Sequence, residues 1–167
     1  MMNTVTRVIS VILVSLILLL PLTADAQNGG RFQGRSLISA DLSGEDLSGE
    51  VLQLREVSDA NLAAANLRNA DLRGSIFTES VMKNADLQGA NLTFTVLNGV
   101  DFTNANLSQT ILEDAILSRA IFDNTDVTGA DFTNAVLDNQ QLDQLCEIAE
   151  GVNSETGVAT RDSLGCL

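Results

Sequence analysis

Ala60-Asn61-Leu62-Ala63-Ala64, Ala65-Asn66-Leu67-Arg68-Asn69 and Ala70-Asp71-Leu72-Arg73-Gly74 are three pentads of one design laid end to end. Each offers a small residue, an amide or carboxylate, a large apolar residue, and two positions of turn character. The same spacing runs outward in both directions. Every fifth residue from Phe32 through Leu37, Leu42 and Leu47 to Leu137 and Leu142 is Leu, Phe, Val or Met, without one exception. A helical period near 3.6 and a strand period near 2 both fail to produce this pattern. Two residues before the large one the chain prefers Ala, as at Ala85, Ala90, Ala105, Ala115 and Ala130, so that position also faces inward.

A five-residue unit with one short extended piece and one corner cannot bury its large side chain alone. Successive units must therefore wind around a common axis and stack. The segments 60–64, 70–74 and Ala90-Asn91-Leu92-Thr93-Phe94 resemble the A(D/N)LXX motif of pentapeptide-repeat proteins, and the resemblance covers residues 32–143. It implies an all-β solenoid, a right-handed quadrilateral β-helix with four pentads per coil. Residues twenty apart then stack in four internal ladders. One of them runs Leu42, Leu62, Met82, Phe102, Phe122, Leu142 and sets Phe102 against Phe122. With about 4.8 Å between stacked backbones, the coils make a rod of roughly 25 to 28 Å.

The ends read differently. Residues 1–26 have the form of a cleavable signal peptide: Arg7, an apolar run from Val8 to Leu20, Pro21, and the small-residue site Ala24-Asp25-Ala26. The apolar run falls short of the ~20 residues that span a bilayer, so no stable membrane insertion is expected after cleavage. Residues 27–31 form a short N-terminus, 32–143 the solenoid, and 144–167 a cap. A stack of coils leaves open edges that need covering. After Asp138-Asn139 the spacing turns helical, with Leu142, Leu145, Cys146, Ile148 and Ala149 on one stripe and Gly151 as the stop. Thr160 to Gly165 forms a second short turn with Thr160 as its N-cap. Cys146 and Cys166 are the two cysteines, and export favours a disulfide between them. The rival reading, a metal pair, has no histidine and no nearby third ligand. Near the start the small inward position is taken by Arg35, Glu45, Glu50 and Arg55, which predicts either splayed or irregular first coils with these side chains turned out or paired, or simply a frayed terminal coil.

Chemistry is sparse. The chain has no His, no Tyr and one lysine, Lys83, so no catalytic constellation, metal site or cofactor is expected, and the protein is read as noncatalytic. Its formal net charge of −13 disfavours nucleic acid as a partner and favours a protein. The outward position before each core residue is mostly Asp or Asn, but one stacked column reads Ile76, Val96, Ile116, Val136, with Ile111 and Ile121 at neighbouring corners. This column is the candidate partner-binding face. Leu54 and Phe94, with Gly74 between, are a second exposed apolar pair. An exported scaffold or protein-binding module accounts for leader, fold and cysteines together, and the disulfide-closed tail resembles thylakoid-lumenal and periplasmic members of the family. The alternative is a DNA-mimic inhibitor of an enzyme such as gyrase, by resemblance to that acidic branch. Its target is cytosolic, which the leader opposes.

Overall fold

The computed structural model describes Phe32 and residues 36–166. The signal peptide expected over 1–26, the segment 27–31 and Arg35 lie outside the described residues. The chain divides into two compact units, Met1–Gln33 and Gly34–Leu167, and the second contains the coils and the cap.

Each pentad is one turn and one bridge. The large residue's carbonyl accepts from the amide three residues on, as in Ala65 N to Leu62 O at 3.1 Å and Ala90 N to Leu87 O at 2.9 Å. The third residue of that turn takes positive φ, for example Ala64 at 58° and Asn69 at 55°, which the type II geometry demands and which selects Gly and Asn. The residue before the core position forms a parallel bridge to its equivalent twenty residues on, from Asp41 with Asn61 to Ile116 with Val136. A twenty-residue coil of four pentads gives a four-sided β-helix. Its main-chain donors and acceptors are spent on the coils above and below, as in Leu62 N to Val81 O at 2.7 Å and Ala64 N to Lys83 O at 2.8 Å.

The large residues fill the interior. Those from Leu47 to Phe132 are essentially without solvent contact. Phe102 stacks on Phe122 with centroids 5.7 Å apart, as the twenty-residue offset requires, and Phe122 meets Phe132 edge-on at 6.5 Å. Where a hydroxyl replaces Ala at the small inward position, the backbone takes its proton. Ser80 Oγ donates to Val57 O at 2.7 Å and Thr125 Oγ1 to Phe102 O at 2.9 Å, and these bonds offset the cost of burying the hydroxyls.

Glu45, Glu50 and Arg55 do not splay the first coils. The backbone ladder is regular from Asp41 onward, with Glu45 O, Glu50 O and Arg55 O accepting from Asn66, Asp71 and Ile76 at 2.8 to 2.9 Å. The three side chains are half-exposed. Main-chain pairing is indifferent to the side chain as long as its charge is not sealed into the core.

The cap begins earlier than residue 144. Helix α1 spans Asn139–Ile148, because Asp138 closes a capping box with Gln141: the carboxylate accepts from Gln141 N at 2.9 Å, and Gln141 Oε1 accepts from Asp138 N at 2.8 Å. Leu145 and Ala149 pack inward and Leu142 is half-buried, whereas Ile148 faces solvent. Helix α2 spans Thr160–Leu164 and its N-cap is Ala159, not Thr160. An antiparallel bridge between Val152 and Ala159 holds the chain just before it, and Thr160 is turned inward to donate from Oγ1 to Glu150 O at 3.0 Å. The sulfurs of Cys146 and Cys166 lie at bonding distance, 1.99 Å, with Cα atoms 5.6 Å apart.

Candidate docking face

The four outward columns differ in chemistry. One reads Asp46, Asn66, Asp86, Asn106, Asp126, and its alternation has a cause: Asn66 Nδ2 donates to Asp46 Oδ1 at 2.9 Å, and Asn106 Nδ2 to Asp86 Oδ1 at 3.1 Å. An amide between each pair of carboxylates supplies a donor where a third carboxylate would repel. The carboxylates also take the turn amide two residues on, as in Thr128 N to Asp126 Oδ1 at 2.9 Å. Elsewhere, hydrogen bonding lowers acid pKa values. The Ser43 hydroxyl and amide hold Asp41 below the usual carboxylate range, and the Arg73 guanidinium does so for Asp71. At Asp101 burial pushes upward, but Thr103 and Lys83 outweigh it and the net shift is down. These acids serve as turn locks. Among the described residues, no cluster of three or more His, Cys, Asp or Glu side chains is placed to hold a metal ion.

On the opposite side of the rod, parallel bridges align Glu56, Ile76, Val96, Ile116 and Val136 in one line. Ile76, Ile116 and Val136 are 38%, 39% and 50% exposed, and Val96 is half-buried between them. β-Branched side chains suit an extended backbone, yet the equivalent line on the other side manages with Asp and Asn, so backbone preference alone does not require them. Ile111 and Ile121 do not extend this line. Each is bridged into an adjacent face, Ile111 between Asn91 and Asp131 and Ile121 to Asp101.

Two corners border this face, and only the far one was not read from the sequence. Its far corner carries Glu79, Gly99 and Arg119, and Arg119 reaches across two coils to Glu79 at 3.2 Å. Gly99 makes room, for a Cβ there would stand 2.6 Å from Glu79 Oε1. Its near corner carries Leu54, Gly74 and Phe94. Leu54 lies over Gly74, where a Cβ would come within 2.7 Å of Leu54 Cδ2. Leu54 and Phe94 are 82% and 63% exposed, and Phe94 precedes Val96 by two residues, so this apolar corner borders the apolar line. The usable signal was a glycine twenty residues after a long corner side chain. Asn98 Oδ1, beside Gly99, is buried without a hydrogen-bond partner.

The chain matches the family model for pentapeptide repeats, in eight copies, over residues 58–93 and 95–134. A solved pentapeptide repeat protein from the Arabidopsis thaliana thylakoid lumen is 40% identical, with 78% of this chain and 90% of that one covered and a TM-score of 0.53. A pentapeptide repeat protein involved in heterocyst differentiation regulation in the cyanobacterium Nostoc is 23% identical, covering 60% of this chain and 52% of that one at a TM-score of 0.44. A plasmid-mediated fluoroquinolone resistance protein, QnrB1, is 20% identical, covering 65% and 84% at a TM-score of 0.27. No curated protein shows significant sequence similarity to the chain.

Proposed function

The chain belongs to the pentapeptide-repeat family, and from that premise we propose that it is a noncatalytic, exported docking module whose contact surface is the face of Ile76, Val96, Ile116 and Val136. Proteins of this family adopt the right-handed quadrilateral β-helix and generally act as structural or binding modules. The observation that carries the reading is the line of exposed β-branched residues bordered by Leu54 and Phe94, on a rod whose opposite line is carboxylate and amide. A rigid backbone presents this strip with little backbone left to order on binding, which favours recognition of a protein surface.

Export rests on the leader-like residues 1–26, on a cysteine pair at bonding distance, and on likeness to a thylakoid-lumen protein. The compartment is accordingly a thylakoid lumen or a periplasm. Among the described residues no helix is long and apolar enough to cross a membrane.

The test is a comparative capture from the exported compartment of the native source, using wild type and a variant with Ile76→Asn, Val96→Asp and Ile116→Asn. These changes copy the alternating amides and carboxylates of the Asp46, Asn66, Asp86, Asn106 line, so the variant should fold. A specific partner lost by the variant at unchanged melting temperature supports the reading. An identical set of proteins captured by both contradicts it.

A further inference from the structure

Resting on that reading, we propose that the apolar face also docks a second copy of the chain, antiparallel, about a two-fold axis crossing the face at Val96 and Gly99. An isologous contact requires a surface complementary to its own rotated image. Rotation about an axis perpendicular to the rod and lying in the contact plane reverses the order of coils and keeps each corner on its own side. Glu79 and Arg119 stand one coil below and one coil above Gly99 at the same corner and pair within each chain at 3.2 Å, so the rotation lays that pair antiparallel to its image, with Glu79 of each copy beside Arg119 of the other in a four-charge cluster.

The rest of the face obeys the same symmetry. Ile76 and Ile116 exchange across the axis, and Val96 meets its own image. Phe94 of each copy meets the other at the near corner, where Gly74 adds no side chain and leaves room for Asp114 of the second copy, and Leu54 falls opposite Asn134 at the rim. Glu56 falls opposite Val136 at the rim, in reach of water. The one basic side chain of this corner thus sits where the dyad needs it, and a chain of net charge −13 opposes any pairing that lacks such a match. The face is narrow, which sets the dimer in the weak, transient class of interfaces. Such a dimer would shield the apolar strip until a partner of higher affinity displaces the second copy.

Sedimentation velocity across the micromolar to millimolar range, at low ionic strength, tests the proposal with wild type, Glu79→Arg, Arg119→Glu and an equimolar mixture of the two variants. The axis predicts a reversible wild-type dimer and at least tenfold weaker self-association for either variant. It also predicts recovery in the mixture, where a copy with two basic side chains at this corner faces a copy with two acidic ones. A wild type that stays monomeric throughout overturns the proposal, as does a mixture no better than its components. If wild type is monomeric yet loses a different captured protein on Ile116→Asp, self-docking is overturned while the docking reading stands.

Discussion

The side-chain amide of Asn153 donates to the carbonyl oxygen of Gly129 at 2.9 Å, and with that bond the cap takes the place of a missing coil. The same nitrogen reaches Thr110 O at 3.1 Å and Gln109 O at 3.2 Å, while Asn153 Oδ1 accepts from Glu155 and Thr156. Gln141 does the equivalent work nearby, donating to Leu117 O and Ala120 O at 2.8 Å. A coil with no successor leaves carbonyls pointing along the axis, and side-chain amides of the cap, with Gln144 donating to Phe122 O at 3.3 Å as a third, cover them. Asn153→Asp keeps the shape but sets a carboxylate against three carbonyls, so it should destabilise the fold by about 3 kcal/mol. Urea unfolding gives the magnitude, and hydrogen exchange should show residues 150–165 opening first.

Cys146 and Cys166 close a loop of twenty residues around this arrangement. The chain-entropy account assigns a loop of this size about 3 kcal/mol. Reduction, or Cys146→Ser with Cys166→Ser, should lower the melting temperature and loosen the cap while leaving the circular dichroism of the coils intact. A reduced protein with an unchanged melting temperature would refute that coupling.

Corner glycines should differ sharply in their tolerance. Gly44 and Gly129 have nearly the same φ, 67° and 69°, but a Cβ on Gly44 meets nothing within 4 Å, whereas one on Gly129 falls 1.9 Å from Gln109 Nε2 and 3.0 Å from Val152 O. Asn accepts positive φ at little cost. Gly44→Asn should therefore change stability by less than about 0.5 kcal/mol, and Gly129→Asn should cost about 2 kcal/mol by pushing Gln109 off the cap loop. Thermal melts of the two variants provide the comparison.

Acid should weaken the rod through its turn locks. Asp41, Asp71 and Asp101 all have folded pKa values below the reference of 3.8, so their contribution is fully present above that value and is lost as pH falls through the lower folded values. Stability measured from pH 6 downward should hold and then decline below about 4. Asp71→Asn, which removes the strongest partner of Arg73, should flatten part of that decline.

The solenoid was legible because its signal is repeated in every pentad. Leu62, Leu67 and Leu72 each restate the same register, and the twenty-residue offset carried Phe102 onto Phe122. The position of the candidate face followed from the same offset. What lay beyond the sequence were contacts made once. Glu45 and Glu50 violate the small-residue preference, yet main-chain pairing overrides a local side-chain conflict. Thr160 has the chemistry of an N-cap, but the bridge from Val152 to Ala159 turns it inward to Glu150. Asn153, Gln141 and the Glu79–Arg119 pair act across 21 to 44 residues of chain, where no local pattern announces them.

Site-specific photocrosslinking in the native compartment, with a photoreactive residue at Ile116 on the apolar face or at Asp86 on the opposite one, separates the two faces. Docking through the apolar face gives a discrete protein adduct from Ile116 and none from Asp86. Adducts from Asp86 alone, or equal adducts from both, would contradict it.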